Sequence, residues 1–108
     1  KATTVTQNTT TTVTQTETIN GNVQSYGSKT QAQMLATFGS AIQLGAFGNP
    51  NWSLLSQFSS IGKLVTYKNE KGLNVVWITG FASRAAADAA LPQVHAKAGF
   101  QNAIAIGK

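Results

Sequence analysis

The chain has no cysteine, which excludes disulfides, thiol nucleophiles and cysteine-ligated metals. Acidic residues are nearly as scarce. Glu17, Glu70 and Asp88 are the three carboxylates among 108 residues. They fall in an N-terminal segment, a turn and a helix, and their spacing suits neither acid–base catalysis nor a hard-cation site. The single histidine, His95, lies two helical turns from Asp88, its nearest carboxylate in sequence. It reads as a structural residue. Serine and threonine abound, but none has a recognisable base partner. The glycines at 45, 48, 72 and 80 do not form a phosphate loop. The expectation is a protein that is not an enzyme and uses no cofactor or metal. No signal peptide is recognisable, and the opening Lys-Ala-Thr-Thr reads as a mature or excised fragment. Residues 30–62 carry no charge, yet Gln, Asn, Ser, Gly and Pro interrupt them too often for a bilayer span.

What is present suits one small domain. Hydrophobic residues make up 42% of the chain, enough for one modest core. The net charge is +5. A basic balance favours anionic partners. The cations are dispersed, and most lie in the C-terminal half.

Lys1–Asn20 is half threonine, a composition that builds no core and reads as a tether. Its loose alternation also allows an added edge strand. Asn20-Gly21-Asn22 signals a turn, and Val23–Tyr26 fits a very short strand. Ser28–Phe38 reads as a short accessory helix, with Ser28 as N-cap, Gln31 completing a capping box and Gly39 as the stop.

The periodic part begins at Ala41. Ala41–Phe47 is a strand. Asn49 and Pro50 open a helix expected to run to Ser60, with Leu54, Leu55, Phe58 and Ile61 as its apolar stripe. Lys63–Lys68 and Leu73–Thr79 are strands joined by the turn Asn69-Glu70-Lys71-Gly72. Ser83 caps a second helix with a stripe of Ala87, Leu91, Val94 and Ala98. Pro92 should kink or break it near Leu91. Gln101–Ile106 is a last strand. The order β-α-β-β-α-β predicts an α+β, ferredoxin-like fold. It has a four-stranded antiparallel sheet, two helices on one face, and the other face open. Residues 1–27 are then a tether, 28–40 an accessory helix and 41–108 the domain.

Alternation divides the strands. If Val76 and Ile78 face the helices, Val75 and Trp77 face out, beside Gln43 and Gly45 on the neighbouring strand. An indole, an amide and a glycine-lowered floor would make a stacking platform with polar specificity, suited to sugar rings. The same exposed face admits two other uses. One is an apolar patch of Leu73, Val75 and Trp77 for a partner protein or a weak homodimer. The other is RNA binding on a sheet of this topology, although Gln43 stands where a stacking aromatic would be wanted.

Four stretches in order, Gln43-Leu44-Gly45-Ala46-Phe47, Ser60-Ile61-Gly62-Lys63-Leu64, Ile78 to Ala85 and Ala98-Gly99-Phe100, resemble the SPOR domain. The likeness covers Ala41–Lys108 and is similar to the variant seen in Bacteroidetes-type bacteria. It implies a peptidoglycan-binding module of the bacterial periplasm and cell envelope. Such a module recognises glycan strands denuded of stem peptides at the division septum, and attachment to a larger envelope protein is expected. It further implies that Gln43 is a binding position, with Ala46 as the small residue after it and Ile104 on the last strand. The candidate ligand-binding residues are therefore Gln43, Gly45, Ala46, Leu73, Val75, Trp77 and Ile104, with no nucleic acid expected as partner. The chain departs from the family in three places, one of them Pro92, which is unusual in the second helix. Val75 and Trp77 stand where an outward arginine is common, and Leu73 replaces an aromatic. Lys63, Lys68, Lys71 or Lys108 would then have to supply charge from the rim.

Overall fold

The computed structural model describes residues 17–19 and 23–107. The fold is α+β. Strands β1 (Glu17–Ile19) and β2 (Val23–Ser28) precede helix α1 (Gln31–Phe38). Strand β3 (Ser40–Phe47) leads to the short helix α2 (Trp52–Leu55), which continues as a 3-10 turn over Ser56–Ser60. Strands β4 (Lys63–Lys68) and β5 (Asn74–Thr79), helix α3 (Arg84–His95) and strand β6 (Ile104–Gly107) complete the chain.

The sheet has six strands in the order β1-β2-β4-β5-β3-β6, not the expected four. β2 runs parallel to β4, and the other neighbours are antiparallel. The difference comes from the N-terminal segment. Most of the tether expected over residues 1–27 lies outside the described residues, but its described parts are strands. They have a reason to pair. Without them β4 would leave a row of unpaired backbone groups at a sheet edge. Val23 also reaches the main core, where it is fully buried.

Two apolar layers sandwich the sheet. On one face Ile42, Leu44, Leu64, Val76 and Ile78 pack against Leu55, Phe58, Ala87, Val94 and Phe100. Phe58 and Phe100 meet edge to face, with ring centroids 4.8 Å apart. The Gly62 backbone lies against Thr79 and Ile78, so a Cβ there would run into the Thr79 carbonyl.

Local chemistry corrects several expected boundaries. α1 begins at Gln31 because Thr30, not Ser28, is its N-cap. The Thr30 hydroxyl accepts from Gln33 N at 3.1 Å, and the Gln33 amide accepts from Thr30 N at 2.9 Å. Asn51, not Asn49, caps α2, its Oδ1 accepting from Leu54 N at 3.1 Å. The helix expected to run from 50 to 60 tightens to 3-10 geometry after one turn. α3 is capped by Ser83 as expected, but it does not break at Pro92. It runs on to His95. Asp88 is exposed, so water can take the carbonyl that Pro92 leaves without its helical partner. His95 Nε2 lies 2.8 Å from the Ala103 carbonyl and ties α3 to the approach of β6.

Candidate functional site

Three rows of side chains cross the face opposite α2 and α3. Ala41 pairs with Ile106 in the first. Ile104, Gln43, Trp77 and Val65 form the second. Ala46, Val75 and Tyr67 form the third. The alternation argument therefore put Val75 and Trp77 on the right face.

That face is not open. α1 lies over it. Met34, Leu35 and Phe38 pack against Ala41, Val65, Tyr67, Val75, Trp77 and Ile106, with Tyr26 of β2 beside them. Trp77 is 0% exposed and Val75 4%. The Trp77 ring meets Tyr67 edge to face at 5.4 Å, and its Nε1 donates to Gln43 Oε1 at 3.2 Å. Tyr26 and Phe38 make a similar contact at 5.7 Å. Burial raises the Tyr26 and Tyr67 phenols above the usual tyrosine value.

The cover belongs to the core. Met34 and Val23 are both 0% exposed. Burial of each such side chain is worth ~1.5–3 kcal/mol. Lifting β2 and α1 would forfeit both, along with the contacts of Tyr26 and Phe38. Val75 and Trp77, on which the dimer and RNA readings drew, are packed under α1 rather than exposed.

What stays accessible is a groove of about 640 Å³ at the end of the face that α1 leaves uncovered. Gln43, Ala46, Val75 and Tyr67 line it from the sheet. Lys29, Thr30 and Gln33 border it from the start of α1, and Lys68 and Glu70 from the β4–β5 hairpin. Its size falls in the range usual for small-molecule sites. Gln43 spends its carbonyl oxygen on Trp77, which leaves its NH2 end to donate to a ligand.

The groove thus brings together three of the seven expected residues, Gln43, Ala46 and Val75. Ile104 adjoins them, paired with Gln43 and 50% exposed. Leu73 is half-buried near Gly48 and does not line the groove. Trp77 lies beneath the surface as support. Gly45 is a correction of a different kind. β3 carries an extra residue between Gln43 and Gly45, so Gly45 stands opposite Val76 and Ala46 opposite Val75. A Cβ on Gly45 would meet the Phe47 ring at 2.9 Å, and its φ of 151° favours glycine. The bulge moves Gly45 off the groove face and leaves Ala46 as the small residue next to Gln43.

Of the four lysines expected at the rim, only Lys68 lines the groove. Lys63 sits at the far end of β4, paired with Thr79, and Lys108 lies outside the described residues. Lys29 was not anticipated. The signal that would have found it is Thr30-x-x-Gln33, the capping box that fixes where α1 starts. Among the described residues no cluster of His, Asp or Glu could hold a metal, and no helix is long and apolar enough to cross a membrane.

The SPOR domain family model matches residues 36–107. The chain belongs to the SPOR domain family. No curated protein and no solved structure matched the chain. SPOR domains bind peptidoglycan and occur in bacterial envelope proteins. The match starts inside α1, so β1, β2, Lys29, Thr30, Gln33 and Met34 all precede the SPOR region. The elements that cover Trp77 come largely from outside it, whereas the groove is walled from outside by the start of α1 and from inside by β3, β5 and the β4–β5 hairpin.

Proposed function

We propose that this SPOR domain binds peptidoglycan glycan strands denuded of stem peptides, at the envelope and the division septum, as a binding module without catalysis. Membership of the family over residues 36–107 carries the reading. The meeting of Gln43, Ala46 and Val75 in one groove supports it. Sugar rings would rest their C–H faces on the exposed Ala46 and Ile104, with Val75 packed beneath, and their hydroxyls would hydrogen-bond to Gln43. Stem peptides would collide with the rim formed by the start of α1 and the β4–β5 hairpin. Residues ahead of β1 would join the module to a larger envelope protein in the periplasm.

Pull-down on sacculi with and without amidase treatment tests this function. Stronger retention after treatment is expected, and Gln43→Ala should weaken it by about tenfold, the scale of one lost ligand hydrogen bond. Equal retention on both substrates would overturn the preference for denuded strands.

A further inference from the structure

The amides that line the groove have spent their acceptors inside the protein. Gln43 Oε1 accepts from Trp77 Nε1 at 3.2 Å, and Gln33 Oε1 accepts from Thr30 N at 2.9 Å. An indole and a backbone N–H can only donate, so the orientation of both amides is fixed and each keeps its NH2 for a ligand. Backbone carbonyls along the groove are taken as well. That of Ser28 accepts from Lys29 Nζ, that of Lys68 from Lys29 N and that of Asn69 from Gly72 N.

Tyr67 supplies a second, independent sign of a ligand. It lines the groove and is 3% exposed, yet its hydroxyl has no hydrogen-bond partner among the described residues. Tyr26, in the same core, donates to Gln24 Oε1 at 3.1 Å. A buried hydroxyl without a partner is costly, and a ligand acceptor would satisfy it. Contacts hold these groups together. The Tyr67 ring meets Trp77, which holds Gln43. The bond from Lys29 N to the Lys68 carbonyl, 3.1 Å, brings the start of α1 to the residue after Tyr67. The small, exposed Ala46 lines the same groove.

We propose that Tyr67, Gln33 and Gln43 read the acylation of the sugar nitrogen, so that the groove takes N-acetylated amino sugars and rejects those with a free amine. This rests on the glycan-binding reading and adds a specificity within it. An acetamido group offers an acceptor carbonyl beside a methyl, and the groove offers donors beside Ala46. A free-amine sugar presents an ammonium, which has donors alone. It would meet the two NH2 groups unpaired, and reaching Tyr67 would strip its charge of water. Glu70, exposed on the hairpin, is the one carboxylate of the lining and works against the preference. Gln33 precedes the family-matched region, so part of this selectivity belongs to the chain's own N-terminal addition.

The test is titration calorimetry of the full chain with a denuded glycan, the same glycan after de-N-acetylation, and that product re-acetylated with acetic anhydride. Wild type should bind the acetylated strand about tenfold more tightly than the free amine, and re-acetylation should restore the affinity. Tyr67→Phe keeps the ring and removes the hydroxyl, and should narrow the preference to about threefold. Gln33→Glu keeps the capping box while turning a free donor into an acceptor, and should narrow it by a similar factor. Repulsion by the net charge of +5 alone would give a preference that vanishes at high salt and survives both substitutions. That result, or equal wild-type binding to the acetylated and free-amine strands, would overturn the proposal and leave the glycan-binding reading standing. Absence of wild-type binding to the acetylated strand would overturn both. Circular dichroism should show an unchanged fold in each variant.

Discussion

The two faces of the sheet are both apolar, yet they are closed in different ways. One is covered by α2 and α3, which belong to the repeated strand–helix pattern of the family region. The other is covered by α1, most of which precedes that region. The first face is sealed. The second is sealed over Trp77 and left open over Ala46, and the line between the two is set by where Thr30 starts the helix. A binding face can therefore be narrowed by adding chain at one end without altering the strands themselves.

Deleting the central aromatic of each face tests the comparison most strongly. Trp77→Ala and Phe58→Ala should each cost about 3–5 kcal/mol in chemical denaturation, because both rings are fully buried. A loss below about 1 kcal/mol for Trp77 alone would mean that α1 does not pack in solution as described. A smaller effect is expected at the boundary. Thr30→Ala removes the cap and should cost about 0.5–2 kcal/mol. The same change should loosen the groove wall, visible as faster amide exchange over Gln31–Phe38 with no change in α3. The smallest effect is a pH dependence confined to the second face. The Tyr67 phenol is raised in the folded state. Between the unfolded and folded pKa values the native state thus holds the extra proton, and stability falls as pH rises. That contribution is intact below about pH 10 and is lost above it. Tyr67→Phe should flatten the alkaline limb of the stability profile, while substitutions on the α3 face leave it unaltered.

Much of the family region was legible from side-chain period alone. Val76 and Ile78 against Val75 and Trp77 divided β5 correctly, and Ser83 and the Asn69–Gly72 turn were placed as found. Burial of Trp77 was not legible, because alternation reports which face a residue occupies and is silent on what lies above that face. The cover came from Met34, Leu35 and Phe38, a short stripe compatible equally with a spacer helix. β2 was expected as a very short strand over Val23–Tyr26, but its place in the sheet was not, for a related reason. Its partner β4 lies some forty residues away in sequence, and a long-range parallel pairing leaves no local turn signature. Gly45 was misplaced because a bulge adds a residue without changing the hydrophobic pattern on either side of it.

That bulge makes β3 a strand read in two frames. Up to Gln43, odd positions face α1; from Ala46 onward, even positions do. Parity in the second half is thus fixed by the count of residues through position 45 rather than by their chemistry. Loss of one residue there would remove the bulge and leave Ala46 opposite Val75, whereas closing the bulge at unchanged length would carry Phe47 toward the ligand and Ala46 toward the helices. Position 45 is therefore sensitive to its side chain: any residue but glycine meets the Phe47 ring, and relieving that contact by closing the bulge would exchange the faces of everything that follows in β3.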